Sequence, residues 1–198
     1  MFGAPASGIA AADDIGGSTE PSYSEPSYSE PSYSEPSYSE PLYELVDSAT
    51  QRLQTADPVA ASKWLTGGTI TDPARVQQVL ETVARDAESV GVPADYVTTL
   101  FADQIDASEA IQYNRFSAWK LDPSAAPLLA PDLAASRALI DGLNHRMVSL
   151  IAADRPVLES PDCPMRLAAA RDAVTQARQL DPLYRQALDA ATRSYCRP

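Results

Sequence analysis

The cation with the most informative surroundings is Lys63, which stands between small residues and Trp64 in the stretch TADPVAASKWLTGG. The chain has one other lysine, Lys120. A lysine beside an indole often lays its stem on apolar surface and keeps its ammonium group in water. The alternative is a buried ammonium group that donates hydrogen bonds to a ligand. The other polar residues of the chain favour this alternative.

Polar side chains interrupt the apolar stripes of several predicted helices. Between Phe101 and Phe116, three such residues follow at intervals of four: Gln104, Ser108 and Gln112. Residues four apart share a helix face, so these side chains point where the apolar ones point. On three other predicted helices the residues at inward-leaning positions are charged: Arg52, Asp72, Arg75 and Arg137.

The inward-leaning cations suggest an anionic ligand. Buried like charges repel, and a charge removed from water without a partner is costly. Nearby acids are too few to neutralise all of the cations, which are Arg52, Lys63, Arg75 and Arg137. Two bound carboxylates held by arginine forks would neutralise them best. Each polar residue taken alone also has a structural explanation, since Asp72 is well placed as a helix N-cap.

Helical spacing and helix-start signals predict an all-α fold. Three Asp-Pro pairs each offer an N-cap followed by proline at the first helical position: Asp57-Pro58, Asp72-Pro73 and Asp181-Pro182. No run of alternating β-branched residues indicates a strand. We expect a single-domain six-helix bundle with helices at about 42–65 (kinked at Pro58), 73–90, 94–120, 132–153, 163–180 and 182–196.

Residues 1–41 form a low-complexity segment in which EPSYS repeats four times between Glu20 and Ser39. Tyrosine is almost its only large apolar residue, so the segment cannot bury enough surface to offset its ordering entropy. We expect a disordered acidic spacer at 1–41 and a helical domain at 42–198. The serine and proline content also fits an O-glycosylated stalk or wall tether.

Charge and composition exclude several functional classes. The net charge is −12, and seven of the negative charges lie in residues 1–41, so the domain is acidic and a poor nucleic-acid binder. No apolar run approaches the length of a membrane span. His145 is the only histidine and the two cysteines are distant from each other, so we do not expect a Ser/His/Asp triad or a Cys/His metal site to be the basis of function. We therefore expect His145 to be structural or exposed.

The two cysteines, Cys163 and Cys196, indicate the compartment. In a reducing compartment they would be separate thiols, and in an exported protein they would form one disulfide. The start MFGAPASGIAAADD has the small residues of a cleavage site without the charged and apolar regions of a full signal peptide. We expect a secreted, periplasmic or cell-envelope protein with the disulfide formed and the signal peptide absent or trimmed.

Five segments resemble the all-helical AroQ class of chorismate mutases and occur in that family's order. They are RLQTADPVAASKW, DPARV, PADYVTTLFADQIDASEAIQYNRFSAWKLDP, DLAASRALIDGLNHRM and LDPLYRQAL. The chain is most similar to the exported gamma subclass, which mycobacteria secrete. The similarity spans about 42–197 and leaves the repeat segment outside.

The resemblance implies the conversion of chorismate to prephenate by an intramolecular Claisen rearrangement, without a cofactor, a metal or a covalent intermediate. Arg52 and Arg137 match arginines that grip the substrate carboxylates, and Lys63 and Gln112 match donors to the ether oxygen. The remaining matched positions in the substrate site are Asp72, Arg75 and Ser108. The resemblance also implies a homodimer with a complete site in each chain.

One position departs from the family pattern. Some relatives have glutamate directly after the D-x-x-R arginine, where this chain has Val76. The resemblance therefore leaves open how the substrate hydroxyl is held, with Asp72 as the candidate.

A non-catalytic helical module that binds a small anion or a wall component is the main alternative function. A helical scaffold without a ligand would instead place the cations on the surface.

Deleting residues 1–41 should leave turnover and the thermal midpoint nearly unchanged, because the repeat segment is not expected to share the domain's core. Steady-state kinetics and thermal unfolding of the full chain and of residues 42–198 test this. A large loss of activity after truncation would show that the segment contributes to the site or to assembly.

Overall fold

The computed structural model describes residues 40–197, so the predicted disorder and stalk character of the repeats lie outside the described residues. The boundary between tail and domain at residue 41 stays a prediction. Between residues 40 and 197 the chain forms helices and no strand. The α-helices are α1 (Tyr43–Gln54), α2 (Ala56–Thr66), α3 (Pro73–Ser89), α4 (Ala94–Leu121), α5 (Leu133–Leu158), α6 (Cys163–Ala177) and α7 (Pro182–Ala191). A short 3-10 turn, Pro123–Ala125, follows α4.

The predicted all-α bundle is confirmed, with the first predicted helix divided into α1 and α2 at Thr55. Pro58 lies within one turn of this break and has no N–H to donate to the Gln54 carbonyl. Thr55 keeps helical angles, and its N–H bonds back to Arg52 at 3.2 Å. The chain therefore passes from α1 to α2 without an intervening loop.

Aspartate side chains cap α3, α5 and α7, with Asp132 as the cap of α5, and one predicted cap is wrong. Asp72 accepts a hydrogen bond from the Arg75 backbone N–H, and Asp181 accepts one from the Tyr184 N–H, as their sequence context predicts. Asp57 instead lies inside α2, and its carboxylate pairs with Arg115 of α4 at 2.7 Å. The ion pair with α4 thus takes the carboxylate that the Asp-Pro pattern assigns to a cap.

Helix α4 lies at the centre of the bundle, where it packs against α2, α3 and α7, while α1 packs against α5 and α6. The side chains with no exposure that fill the core between them include Leu45, Leu53, Leu100, Phe101, Ile111, Met147 and Ile151. Burial of each such side chain contributes about 1.5–3 kcal/mol of favourable transfer free energy. This core holds the inner faces of α1, α4 and α5 together.

Helix α6 ends at Ala177, three residues before its predicted end, and two further helix ends differ from the sequence prediction because tertiary packing determines them. Helix α5 runs to Leu158 through Pro156, since Leu158 is fully buried in the core. Helix α7 ends at Ala191, five residues before the predicted end at Cys196. The chain must leave the helix there to bring Cys196 to Cys163. The segment after α7 is held in place by the Arg197 N–H, which donates to the Leu158 carbonyl at 3.0 Å.

The predicted disulfide joins Cys163 at the start of α6 to Cys196, with the two Cα atoms 5.6 Å apart. The Tyr96 hydroxyl of α4 donates a hydrogen bond to the Tyr195 carbonyl beside it. The segment after α7 is therefore fastened to α4, α5 and α6. None of the helices between residues 40 and 197 is long and apolar enough to cross a membrane.

Reduction of the disulfide should lower the free energy of unfolding by about 3–4 kcal/mol, because the bridge closes a loop between residues 33 positions apart. Urea unfolding with and without reductant measures the difference. A Cys163→Ser/Cys196→Ser variant is the control, since reductant should not change its unfolding. Equal midpoints for the oxidised and reduced wild type, or two free thiols by mass spectrometry of oxidised protein, would contradict the prediction.

Candidate active site

One pocket brings together every residue that the sequence analysis places in the substrate site. Its lining draws on α1 to α5 and includes Arg52, Lys63, Asp72, Arg75, Ser108, Gln112 and Arg137. All of these residues belong to a single chain. Except for Gln104, the polar residues that interrupt the apolar stripes thus face a common cavity, as their helical spacing predicts.

Arg52 is the most deeply buried of the pocket cations, with 4 % of its surface exposed. Its Nε donates to the Asn144 amide oxygen at 2.8 Å, and its Nη1 lies 3.3 Å from both the Gln104 carbonyl and the Ser108 hydroxyl. The Phe101 ring lies 5.8 Å from the guanidinium carbon. Burial lowers the pKa of Arg52 to about 10, so the group is still a cation at neutral pH.

Lys63 is buried, with 9 % of its surface exposed, which contradicts the snorkelling explanation. Its Nζ donates to the Ile70 carbonyl at 2.6 Å and to the Gln112 Oε1 at 3.1 Å. An ammonium group has three N–H bonds, so one remains for a ligand. Burial lowers the pKa of Lys63, and the nearby carboxylates of Glu109 and Asp72 act against that shift.

Two glycines at the end of α2 allow the chain to return to Lys63. Gly67 has φ 71°, a left-handed conformation that glycine adopts without strain. Gly68 donates its N–H to the Lys63 carbonyl at 2.8 Å and lies against the lysine stem. The turn carries Ile70 to a position where its carbonyl accepts from the ammonium group. The sequence motif WLTGG therefore contributes directly to the position of the lysine.

Ser108 and Gln112 lie on consecutive turns of α4 and are joined to the cations. The Gln112 Oε1 accepts from Lys63, and its Nε2 donates to the Ser108 carbonyl at 3.2 Å. An amide nitrogen has two N–H bonds, so one is still available to a ligand. The Ser108 hydroxyl donates to the Gln104 carbonyl at 2.8 Å. Helix α4 thus supplies uncharged groups between the cations of the other helices.

Arg75 and Arg137 differ from Arg52 because each is paired with a carboxylate. Arg75 Nη2 contacts Asp141 Oδ1 at 2.5 Å, and Arg137 Nη2 contacts Asp72 Oδ2 at 3.2 Å. Both ion pairs join α3 or its N-cap to α5. The Arg137 side chain is 42 % exposed, so it lies at the rim of the pocket. The bundle therefore presents a gradient from a buried guanidinium group to an exposed one.

Glu109 lines the pocket and was not identified from the sequence. Its Oε2 accepts a hydrogen bond from the Thr71 hydroxyl at 2.9 Å. The signal that could have revealed it is its distance of four residues from Ile105, which also lines the pocket. Tracing only the stripe of Gln104, Ser108 and Gln112 misses this neighbouring row of the same helix face.

Gln104, which begins the polar row of α4, does not line the pocket. Its side chain has no exposure and lies in the core, and only its backbone carbonyl takes part by accepting from Arg52 and Ser108. His145 is exposed, and its Nδ1 lies 2.6 Å from Asp86, so it stands apart from the pocket as expected.

The charges that line the pocket leave it positive although the chain is acidic. Four cations face two carboxylates in the lining, those of Asp72 and Glu109, and Asp141 behind the lining offsets the charge of Arg75, so a positive surplus remains. The apolar part of the wall is formed by Ala56, Val59, Ile70, Val76, Val79, Ile105, Leu133 and Ile140. The arrangement can hold a compact molecule with two anionic groups and an apolar body. It offers hydrogen-bond donors and no nucleophile set beside a base.

The chorismate mutase type II family model matches residues 43–113 of the chain. The secreted chorismate mutase of Mycolicibacterium smegmatis is 56 % identical over 153 residues, which cover 77 % of this chain and 84 % of that protein. The secreted chorismate mutase of Mycobacterium tuberculosis is 50 % identical over 153 residues and 77 % of each chain.

A solved structure with similar architecture is the chorismate mutase of Burkholderia thailandensis. It superimposes with a TM-score of 0.75 and 36 % sequence identity, over 78 % of this chain and 98 % of that one. The similarity covers nearly the full length of that protein. The described bundle therefore has the same architecture as this solved chorismate mutase.

Proposed function

We propose that this chain, which belongs to the chorismate mutase type II family, converts chorismate to prephenate. The reaction is an intramolecular Claisen rearrangement, in which the ether C–O bond breaks while a C–C bond forms within the same molecule. The enzyme is therefore an isomerase. The observation that carries the proposal is the single pocket in which all the expected substrate-binding residues meet.

The positive surplus of the pocket is of the sign that the two carboxylates of chorismate require. We assign these carboxylates to Arg52 and Arg137, one buried and one at the rim. None of the hydrogen bonds of Arg52 within residues 40–197 involves its Nη2, which leaves an N–H pair for the buried carboxylate. Arg75 adds a third guanidinium group, and Ser108 adds a hydroxyl beside Arg52.

Rate enhancement requires no acid, base or nucleophile, because the rearrangement moves no proton. The pocket has to select the compact conformer in which the two reacting carbons meet, and the apolar wall and the two separated guanidinium groups can do this. It also has to stabilise the negative charge that grows on the ether oxygen as the C–O bond stretches. Lys63 and Gln112 each retain an N–H for that oxygen. The hydrogen bond from Lys63 Nζ to Gln112 Oε1, 3.1 Å long, holds the two side chains together.

The substrate hydroxyl requires an acceptor, and two carboxylates in the pocket can serve. Asp72 is the candidate from the sequence, but its Oδ1 accepts from the Arg75 N–H and its Oδ2 from Arg137. Glu109 accepts from Thr71 through Oε2 and lies in the same lining. Val76, where some relatives have glutamate, cannot accept a hydrogen bond. We therefore include Glu109 with Asp72 as an acceptor for the hydroxyl.

The alternative of a non-catalytic anion-binding module retains the arginines but does not require Lys63 and Gln112 to meet. Measuring the ultraviolet absorbance of chorismate on addition of the protein separates the two functions. Loss of chorismate with formation of prephenate supports the enzyme. Binding of chorismate without turnover would support the module.

We also propose that the protein acts outside the cytoplasm as a homodimer. Export is supported by the names of both mycobacterial relatives and by the disulfide. Dimerisation is supported by the exposed apolar side chains of Tyr113, Leu121, Leu128 and Leu129. Since one chain lines the whole pocket, each subunit would carry its own site. Light scattering after size-exclusion chromatography measures the oligomeric state.

Lys63→Ala should lower kcat by about 100- to 1000-fold while changing substrate affinity much less, because the lost N–H interacts most strongly with the transition state. Arg52→Ala and Arg137→Ala should instead raise KM strongly and also reduce kcat. Steady-state kinetics with chorismate distinguish these patterns. Lys120→Ala is the matched control, since Lys120 is the other lysine and is exposed at the end of α4. Near-normal turnover of Lys63→Ala would contradict the role of Lys63.

Gln112→Glu should make activity depend on pH, with rate on the acid side and loss as pH rises through the pKa of the new carboxyl. A protonated carboxyl can donate to the ether oxygen, whereas a carboxylate would direct a lone pair at it. Lys63 favours the ionised form, while burial, the nearby carboxylates of Glu109 and Asp72, and the bound dianion oppose it.

The measurement is kcat/KM against pH for the wild type and for Gln112→Glu. Gln77→Glu is the matched control, because it makes the same change at an exposed position of α3 outside the pocket lining. Parallel profiles for the wild type and Gln112→Glu would mean that Gln112 does not contact the ether oxygen.

A further inference from the structure

We propose that Asn144 is a positioning residue that holds Arg52 through an uncharged acceptor and so reserves the charge of Arg52 for a substrate carboxylate. The inference rests on the proposed role of Arg52 in binding that carboxylate. Asn144 is not among the residues that line the pocket, so it would act on the substrate only through the arginine.

The contact between the two side chains fixes the arginine. Asn144 lies on α5 with 3 % of its surface exposed, between the core residues Leu143 and Met147. Its Oδ1 accepts from Arg52 Nε at 2.8 Å. Because a guanidinium group has only donors, the amide must present its oxygen to Arg52. The bond joins α5 to α1 and sets the plane of the guanidinium group, which leaves the Nη2 end for a ligand.

All three hydrogen-bond acceptors of Arg52 are formally neutral. They are the Asn144 amide, the Gln104 carbonyl and the Ser108 hydroxyl. Arg75 and Arg137, in the same pocket, are each bonded to an aspartate. Within residues 40–197, Arg52 therefore lacks the direct carboxylate partner that the two more exposed arginines have. A buried cation with neutral partners is left to find its counter-charge in the ligand.

The charged groups around Arg52 do not supply that counter-charge by direct contact. Those that act on its pKa are Tyr195 after α7, Arg75 on α3 and Asp141 on α5. Asp141 is bonded to Arg75, and burial raises the pKa of Tyr195 so that its hydroxyl stays neutral in the physiological range. A carboxylate at position 144 would be the first acid in hydrogen-bond contact with Arg52.

Asn144→Asp tests the proposal because it keeps the shape of the acceptor and adds a negative charge. We expect KM for chorismate to rise at least about tenfold, since the new carboxylate competes with the substrate for Arg52. We expect kcat to change much less and the melting temperature to be at least that of the wild type. Titration calorimetry with prephenate, the dianionic product, should show a similar loss of affinity. Weaker binding without a loss of stability is not expected from a merely structural residue.

Two further substitutions separate charge from geometry. Asn114→Asp makes the same chemical change at an exposed position of α4 outside the pocket lining, and it should leave KM within about twofold of the wild type. Asn144→Ala removes the acceptor without adding charge, so its KM should lie between those of the wild type and Asn144→Asp. If Asn144→Asp does not fold, Asn144→Ala carries the test, and an unchanged KM for it would overturn the proposal.

The outcomes distinguish this proposal from the proposed function. If Arg52→Ala leaves both KM and prephenate affinity unchanged, the assignment of Arg52 to a carboxylate is wrong, and the inference is overturned with it. If Arg52→Ala weakens binding but Asn144→Asp matches the wild type in KM, only the role of Asn144 is overturned. Weaker binding in both, with Asn114→Asp unaffected, supports the proposal.

Discussion

Repulsion among four cations that face one cavity is the constraint on which the structure of the site depends. The bundle meets it by taking one cation each from α1, α2, α3 and α5, so that no two of them come from the same helix. Two kinds of partner then hold them: neutral acceptors for Arg52 and Lys63, and aspartates for the other two. The central helix α4 contributes uncharged groups between them.

This arrangement is suited to a reaction whose rate depends on the orientation of the substrate and on electrostatic stabilisation of the transition state. A side chain that already points at the developing charge does not have to reorganise when the charge appears. The fixed positions of Lys63 and Gln112 arise from backbone features, namely the glycine turn after α2 and the regular turns of α4. The desolvated cations cost stability in the free protein, and a dianionic substrate would relieve that cost on binding.

Much of the site could be predicted because the spacing of residues along a helix determines which side chains point to the same side. Ser108 and Gln112 on an apolar stripe, and Lys63 beside Trp64, faced the cavity as their positions required. Asn144 and Glu109 gave weaker signals. An asparagine between core residues has no charge to attract attention, and a glutamate on the neighbouring row of a helix has the pattern of a solvated face.

The helices of the fold could be predicted from the sequence, and three departures from that prediction have the same cause. Asp57 has the sequence of a helix cap, yet it pairs with Arg115 of a helix far away in the chain. Helix α5 continues through Pro156 because Leu158 is buried, and α7 ends early because Cys196 is needed at Cys163. In each case a tertiary contact outweighs the local preference, and single-sequence patterns contain no record of such contacts.

Because of its position in the chain, we expect the disulfide to affect the stability of the protein and not its catalytic rate. The loop that it closes contains α6 and α7, whereas every residue that lines the pocket comes before Cys163. Because Cys196 follows all seven helices of the described chain, the bond can close only after they have been synthesised. Its selective value would therefore appear in the half-life of the protein among extracellular proteases, through slower unfolding, and not in the turnover number of the molecules that survive.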